Sequence, residues 1–150
     1  MKKLMLIAVL LAATVVQPGW AAGKAKGKCL PASAMEAEQA LRFMTQLGIA
    51  SNACTTIGIY ADFRMRNRDA IVTYQQVLMT HLHGAKAFDR WNTALANQLA
   101  QRQSSVTPAM FCEQSVPLLQ QAKALDSNGF RAYAAAQAAT LRAQTPACAK

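Results

Sequence analysis

Between Pro31 and Pro146 the apolar residues return every third or fourth position, in stretches bounded by proline, glycine or small polar residues. That period belongs to one face of an α-helix, and it decides the fold class before anything else does. Ser33 followed by Glu36 reads as a capping box, in which hydroxyl and carboxylate each accept from the other's amide. Ala37, Leu41, Met44 and Leu47 carry that first helix to about Ser51. Phe63, Ile71, Tyr74, Leu78 and Leu82 form a second stretch that ends at Gly84, a good residue just past a helix. Phe88, Trp91, Leu95 and Leu99 form a third. Thr107 and Pro108 read as the N-cap and first residue of a fourth, which continues through Phe111, Leu118, Ala122 and Leu125. Pro117 is expected to kink or split it. Asp126 to Gly129 reads as a turn, and Phe130, Tyr133, Ala134, Gln137 and Leu141 mark a last helix that stops at Pro146. The chain has 31 alanines, the best helix former, and no Asn-Gly turn between alternating runs. The fold class expected is all-α, an antiparallel bundle of four to five helices stapled by two disulfides.

The first segment reads as an address. Lys2 and Lys3 precede an apolar run from Leu4 to Val16, broken only by Thr14, and Gly19-Trp20-Ala21 offers small residues for a signal peptidase. Residues 1–21 are therefore expected to be a cleavable secretory signal, with the next residue Ala22 or a near neighbour. The run is short for a membrane span, which needs about 20 residues, so no transmembrane segment is expected after cleavage. Cys29 lies too far behind the run for lipid attachment. Residues 22–31 form a basic tail with Lys24, Lys26 and Lys28, and 32–150 a single helical domain, in keeping with a length of 150 residues. With 16 Lys plus Arg against 7 Asp plus Glu the net charge is +9, and losing Lys2 and Lys3 leaves 9 − 2 = +7. Export, to the periplasm or beyond, removes nucleic acid as a partner and makes anionic envelope surfaces the electrostatic neighbours of the three tail lysines.

All four cysteines, Cys29, Cys54, Cys112 and Cys148, follow the signal, so they meet an oxidising compartment. Three connectivities can be drawn. None forms a Cys-x-x-Cys pair, and spacings of 25, 58 and 36 residues do not fit a zinc knuckle, so their role reads as structural. Cys54 closes the first helix and Cys112 lies in the first turn of the fourth, while Cys29 and Cys148 flank the domain. The pairing expected is Cys54 with Cys112 and Cys29 with Cys148.

A first helix ending in cysteine, with Leu41-Arg42-Phe43-Met44-Thr45-Gln46-Leu47 before Cys54, then Tyr60, Phe63, Gly84, Leu95-Ala96-Asn97 and Phe111-Cys112, resembles a group of small exported helical proteins of Gram-negative bacteria. The resemblance spans residues 34–115. It implies Cys54 and Cys112 as partners and supplies no catalytic residues.

Chemistry is sparse. Met79-Thr80-His81-Leu82-His83 holds side chains that copper favours, and Met79 and His83, four apart, share a helix face. His81 points elsewhere, and the last turn of a helix suits histidine for reasons of its dipole and free carbonyls, which is the role expected. Arg64 and Arg68 are expected on one face with Arg66 turned away, a solvated face partly paired by Asp62 and Asp69. Asn92, Asn97 and Arg102 fall outside the apolar stripe of their helix, and the methionines at 35, 44, 65, 79 and 110 read as core filler. No Gly-x-Ser-x-Gly elbow, phosphate loop or His-Glu-x-x-His occurs. The function expected is a non-enzymatic periplasmic protein that binds a protein or envelope component without a cofactor. Alternatives are an immunity or inhibitor protein against an envelope-acting toxin, and a metal-handling protein using Met79 and His83.

Overall fold

A computed structural model describes residues 30–144, all of whose regular structure is helical. The expected signal segment, Lys24, Lys26, Lys28, Cys29 and Cys148 lie outside the described residues. Six helices follow one another: α1 Ala32–Ala53, α2 Ile57–Arg66, α3 Arg68–His81, α4 Ala85–Ser104, α5 Pro108–Ala124 and α6 Ser127–Ala143.

The count exceeds the four to five expected because the second stretch is broken at Asn67. Its backbone (φ −110°, ψ 15°) leaves the helical region, yet its N–H still donates to Phe63 O and its carbonyl accepts from Ile71 N, so one residue ends α2 and begins α3. Pro117 has the opposite outcome. It sits inside α5 without splitting it.

The capping box does not form. Pro31, whose ring presets φ at −58°, starts α1 two residues earlier than a Ser33 cap requires, and its carbonyl accepts from Met35 N at 3.0 Å. Ser33 is thus already inside the helix, and the Glu36 carboxylate accepts the Tyr74 hydroxyl at 2.6 Å instead. Thr107 does cap α5, its hydroxyl accepting from Met110 N, and Asp126 caps α6 by accepting from Gly129 N at 2.7 Å.

α1 is the spine: it packs against each of the other five helices. Ala34, Ala37, Ala40 and Ala50 on α1 are at most 1% exposed, and small side chains on several faces let neighbours close in all round. At Gly48 the ring of Tyr60 takes the space, since a Cβ there would lie 3.3 Å from it. Phe43 centres the core, with ring centroids 5.4 Å from Phe63, 6.0 Å from Phe130 and 4.8 Å from Tyr133. Phe130 in turn meets Phe63 and Tyr74 edge-on, so α1, α2, α3 and α6 converge on one aromatic cluster. Each fully buried ring contributes roughly 1.5–3 kcal/mol.

Contacts fix the directions. From Phe63 at Phe43 to Tyr74 at Glu36, α2 and α3 run antiparallel to α1 as one bent rod. α5 forms a second such rod with α6, starting near Ala50. The bends of the two rods meet. Arg66 Nη2 donates to Ala122 O at 2.9 Å and Lys123 O at 3.4 Å, and Asn67 Nδ2 donates to Phe63 O at 3.0 Å and Leu125 O at 3.4 Å. The bonds to Ala122, Lys123 and Leu125 satisfy carbonyls at the C-terminal end of α5 that no helical amide reaches. Beyond the bend α6 lies against α1 rather than back along α5, and so continues toward the N-terminal end of the spine.

Candidate binding groove

Where α1, α4 and α5 run side by side they do not close completely. Ile49 and Ala50 from α1, Leu99 from α4, and Phe111 and Leu118 from α5 line an open groove of about 230 Å³. Gln46, Gln114, Ser115 and Arg102 add polar groups to the lining. The Ser115 hydroxyl is spent on Phe111 O at 2.8 Å, and Gln46 and Gln114 bring side-chain amides to the lining.

The disulfide sets one end of the groove. Cys54 and Cys112 are bonded, with Cα atoms 5.5 Å apart, as the sequence led us to expect. Cys112 follows Phe111, and Cys54 N donates to Ala50 O, so each partner is tied to a lining residue. The bridge therefore holds the N-terminal turn of α5 against the C-terminal turn of α1 and sets the groove's width there.

The other residues singled out from the sequence are distributed differently. α3 ends at His81, and His83 follows outside the helix with φ 62°, so the four-residue helical spacing does not apply to Met79 and His83. His81 instead borders a shallow depression with Pro31, Ser33 and Val77. Among the described residues no group of three or more His, Cys, Asp or Glu is placed to hold a metal ion. The break at Asn67 puts Arg64 and Arg68 on separate helices: Arg64 stacks over the Tyr60 ring at 5.5 Å, while Arg66 reaches across to α5. Asn92 and Asn97 are exposed and away from the groove, whereas Arg102 lines it. Glu38 is engaged by Arg42 one turn on, at 2.7 Å.

One polar array is half-buried. Tyr74, 4% exposed, donates to Glu36, and the Arg131 guanidinium lies 5.8 Å from its ring centroid. Burial first, and then the Glu36 carboxylate, push the Tyr74 hydroxyl above the ordinary tyrosine range, with Arg131 opposing. Burial also raises Tyr133. Glu36, Tyr74 and Arg131 together join α1, α3 and α6 by polar contact.

Sequence reasoning missed the groove because its lining comes from three helices and consists of residues ordinary for a helix surface. The signal that was present is local: Phe111 and Leu118 share a face of α5 beside Cys112. None of the described helices is long and apolar enough to cross a membrane. No protein family, characterised protein or solved structure matches the chain, so the resemblance to small exported helical proteins rests on the residues quoted above alone.

Proposed function

We propose that the protein is an exported, non-enzymatic binding protein that holds an amphipathic segment of a protein or envelope component in the α1/α4/α5 groove. The observation that carries this reading is the lining: an apolar floor of Ile49, Leu99, Phe111 and Leu118 edged by Gln46, Gln114 and Arg102. Such a lining offers apolar contact with a few orienting hydrogen bonds, the usual composition of a binding site. It favours a ligand with an apolar ridge and, along its edge, polar groups that the Gln46 and Gln114 amides can meet.

Site-specific photocrosslinking in intact cells tests it. A photoreactive residue at Gln114 should give a defined adduct, whereas one at the exposed Ala135 of α6 should not. Addition of Leu118→Arg, which fills the groove with charge, should abolish the Gln114 adduct. Absence of any adduct, or equal labelling from both positions, would reject the reading.

A further inference from the structure

α2 is apolar on two sides. Its inner side is built from Phe63, wholly buried, and the partly buried Ile59. Ile57, Ala61 and Met65 follow one another at four-residue intervals on the side roughly opposite Phe63, and all three are exposed. Ile57 is 58% exposed, and Met65, at 78%, is the most exposed large hydrophobic side chain among the described residues. A surface helix ordinarily turns polar residues to this side. The expectation that Met65 fills core is therefore wrong, since α1 and the aromatic cluster already occupy the inner face of α2.

Cations border this stripe. Arg64 and Arg68 are exposed on either side of the bend, and the hydrogen bonds from Arg66 to Ala122 and Lys123 bring the end of α5, with Lys123, against the end of α2. Arg64, Arg66, Arg68 and Lys123 outnumber the carboxylates near them in sequence, Asp62, Asp69 and Asp126, the last of which caps α6. An exposed apolar stripe edged by long cationic side chains has the composition of a helix that lies in a bilayer interface, its apolar residues in the headgroup boundary and its cations at phosphates. The cations sit on separate elements, with Arg64 exposed over the Tyr60 ring and Arg68 exposed beyond the bend, an arrangement that suits many mobile phosphates better than one fixed acidic peptide.

We propose that α2, with the adjoining end of α5, docks this protein onto an anionic lipid bilayer, with Ile57 and Met65 inserted and Arg64, Arg68 and Lys123 at lipid phosphates. The face shares no residue with the α1/α4/α5 groove, and the proposal stands whatever the groove holds. Binding should weaken with salt, because the cations contribute by screened attraction.

Co-sedimentation with vesicles tests it, using purified protein whose N-terminus has been fixed by mass. Vesicles of equal parts phosphatidylglycerol and phosphatidylcholine should bind the protein, and pure phosphatidylcholine should not. Ile57→Ser with Met65→Ser should weaken binding by about tenfold or more. Arg64→Gln, Arg68→Gln and Lys123→Gln together should weaken it and flatten its salt dependence. Met110→Ser with Val116→Ser, exposed apolar positions on α5, should leave it unchanged. All three carry substitutions at exposed positions, and unchanged helical circular dichroism would establish that each is folded. The proposal is overturned by failure to bind the anionic vesicles, or by binding that ignores Ile57 and Met65 and is lost in Lys24→Gln, Lys26→Gln, Lys28→Gln. Polyglutamate binding as tightly as vesicles, again without regard to Ile57 and Met65, would reassign the face to acidic proteins.

Discussion

Thr55 and His83 occupy the same position at two different helix ends. Each is the left-handed residue just past its helix, with φ 55° and 62°, and each end is closed by the same pair of bonds: Thr56 N to Ser51 O with Thr55 N to Asn52 O, and Gly84 N to Met79 O with His83 N to Thr80 O. This is the Schellman arrangement, in which glycine is the usual left-handed residue. Gly84 was legible as a stop signal, but it stands one place further on, with φ 127° and ψ 169°, a conformation open essentially to glycine. Thr55→Gly and His83→Gly should each stabilise the protein by about 1 kcal/mol, whereas Gly84→Ala should destabilise it by about 1–3 kcal/mol. Urea denaturation of the three variants checks the signs, and a destabilising His83→Gly would show that the imidazole itself holds the corner. Tyr74 allows a pH test. Its hydroxyl ionises later in the folded chain than in the unfolded one, where the ordinary value is about 10. Below that pH both states keep the proton and the contribution of the Tyr74 environment is complete. Above it the unfolded chain ionises first, and stability falls as pH rises. Tyr74→Phe should therefore cost about 0.5–1.5 kcal/mol at neutral pH and lose less stability than the wild type as the pH is raised past about 10. Denaturant midpoints measured across that range would decide it, and parallel curves would refute the assignment.

Helices were legible where a stop or start is written in a single strong residue. Thr107-Pro108 marks the start of α5, and the stripe Phe88, Trp91, Leu95 and Leu99 marks α4. The break at Asn67 was not, because asparagine is a weak breaker and Phe63 and Ile71 stay in helical register across it. What fixes the break is remote: Asn67 is wholly buried and its amide reaches Leu125 O, a carbonyl 58 residues away. The start of α1 was misread for a local reason, since Pro31 outcompeted Ser33 as the residue flanking the first turn. The groove required knowing that α4 and α5 flank the same stretch of α1, which no single helix records. Two predictions belong to these elements. Cys54→Ala with Cys112→Ala frees the α1/α5 junction and should cost about 2–4 kcal/mol, read as a lowered denaturation midpoint. It should also loosen the groove, so amide exchange at Phe111 should rise more than at Phe130. Pro117 removes the amide that would otherwise donate to Glu113 O within α5, so Pro117→Ala should stabilise the protein, by up to about 3 kcal/mol. A neutral or destabilising result would mean that the ring is needed where it stands.

At the scale of the molecule, α1 and α6 carry Leu30 and Gln144, the first and last described residues, toward the same end of the bundle. From Phe43 to Leu30 along α1, and from Phe130 to Gln144 along α6, the rise is in each case roughly 20 Å in the same direction. A bond between Cys29 and Cys148 is the proposal that follows, and non-reducing peptide mapping should recover both that pair and Cys54 with Cys112. Only the second pair would show that the ends are left open. The same sample tests export: the intact mass should correspond to a chain beginning near Ala22, and a mass that retains Leu4 to Val16 would reject cleavage. The spine also has a consequence in time. α1 is the helix that all the others need, and it is the first of the six to leave the ribosome, or any translocation channel entered from the N-terminus. Each later helix arrives to find its docking partner already delivered. Had the spine been encoded last, five apolar faces would have had to wait, exposed to water and to one another, for the element that covers them.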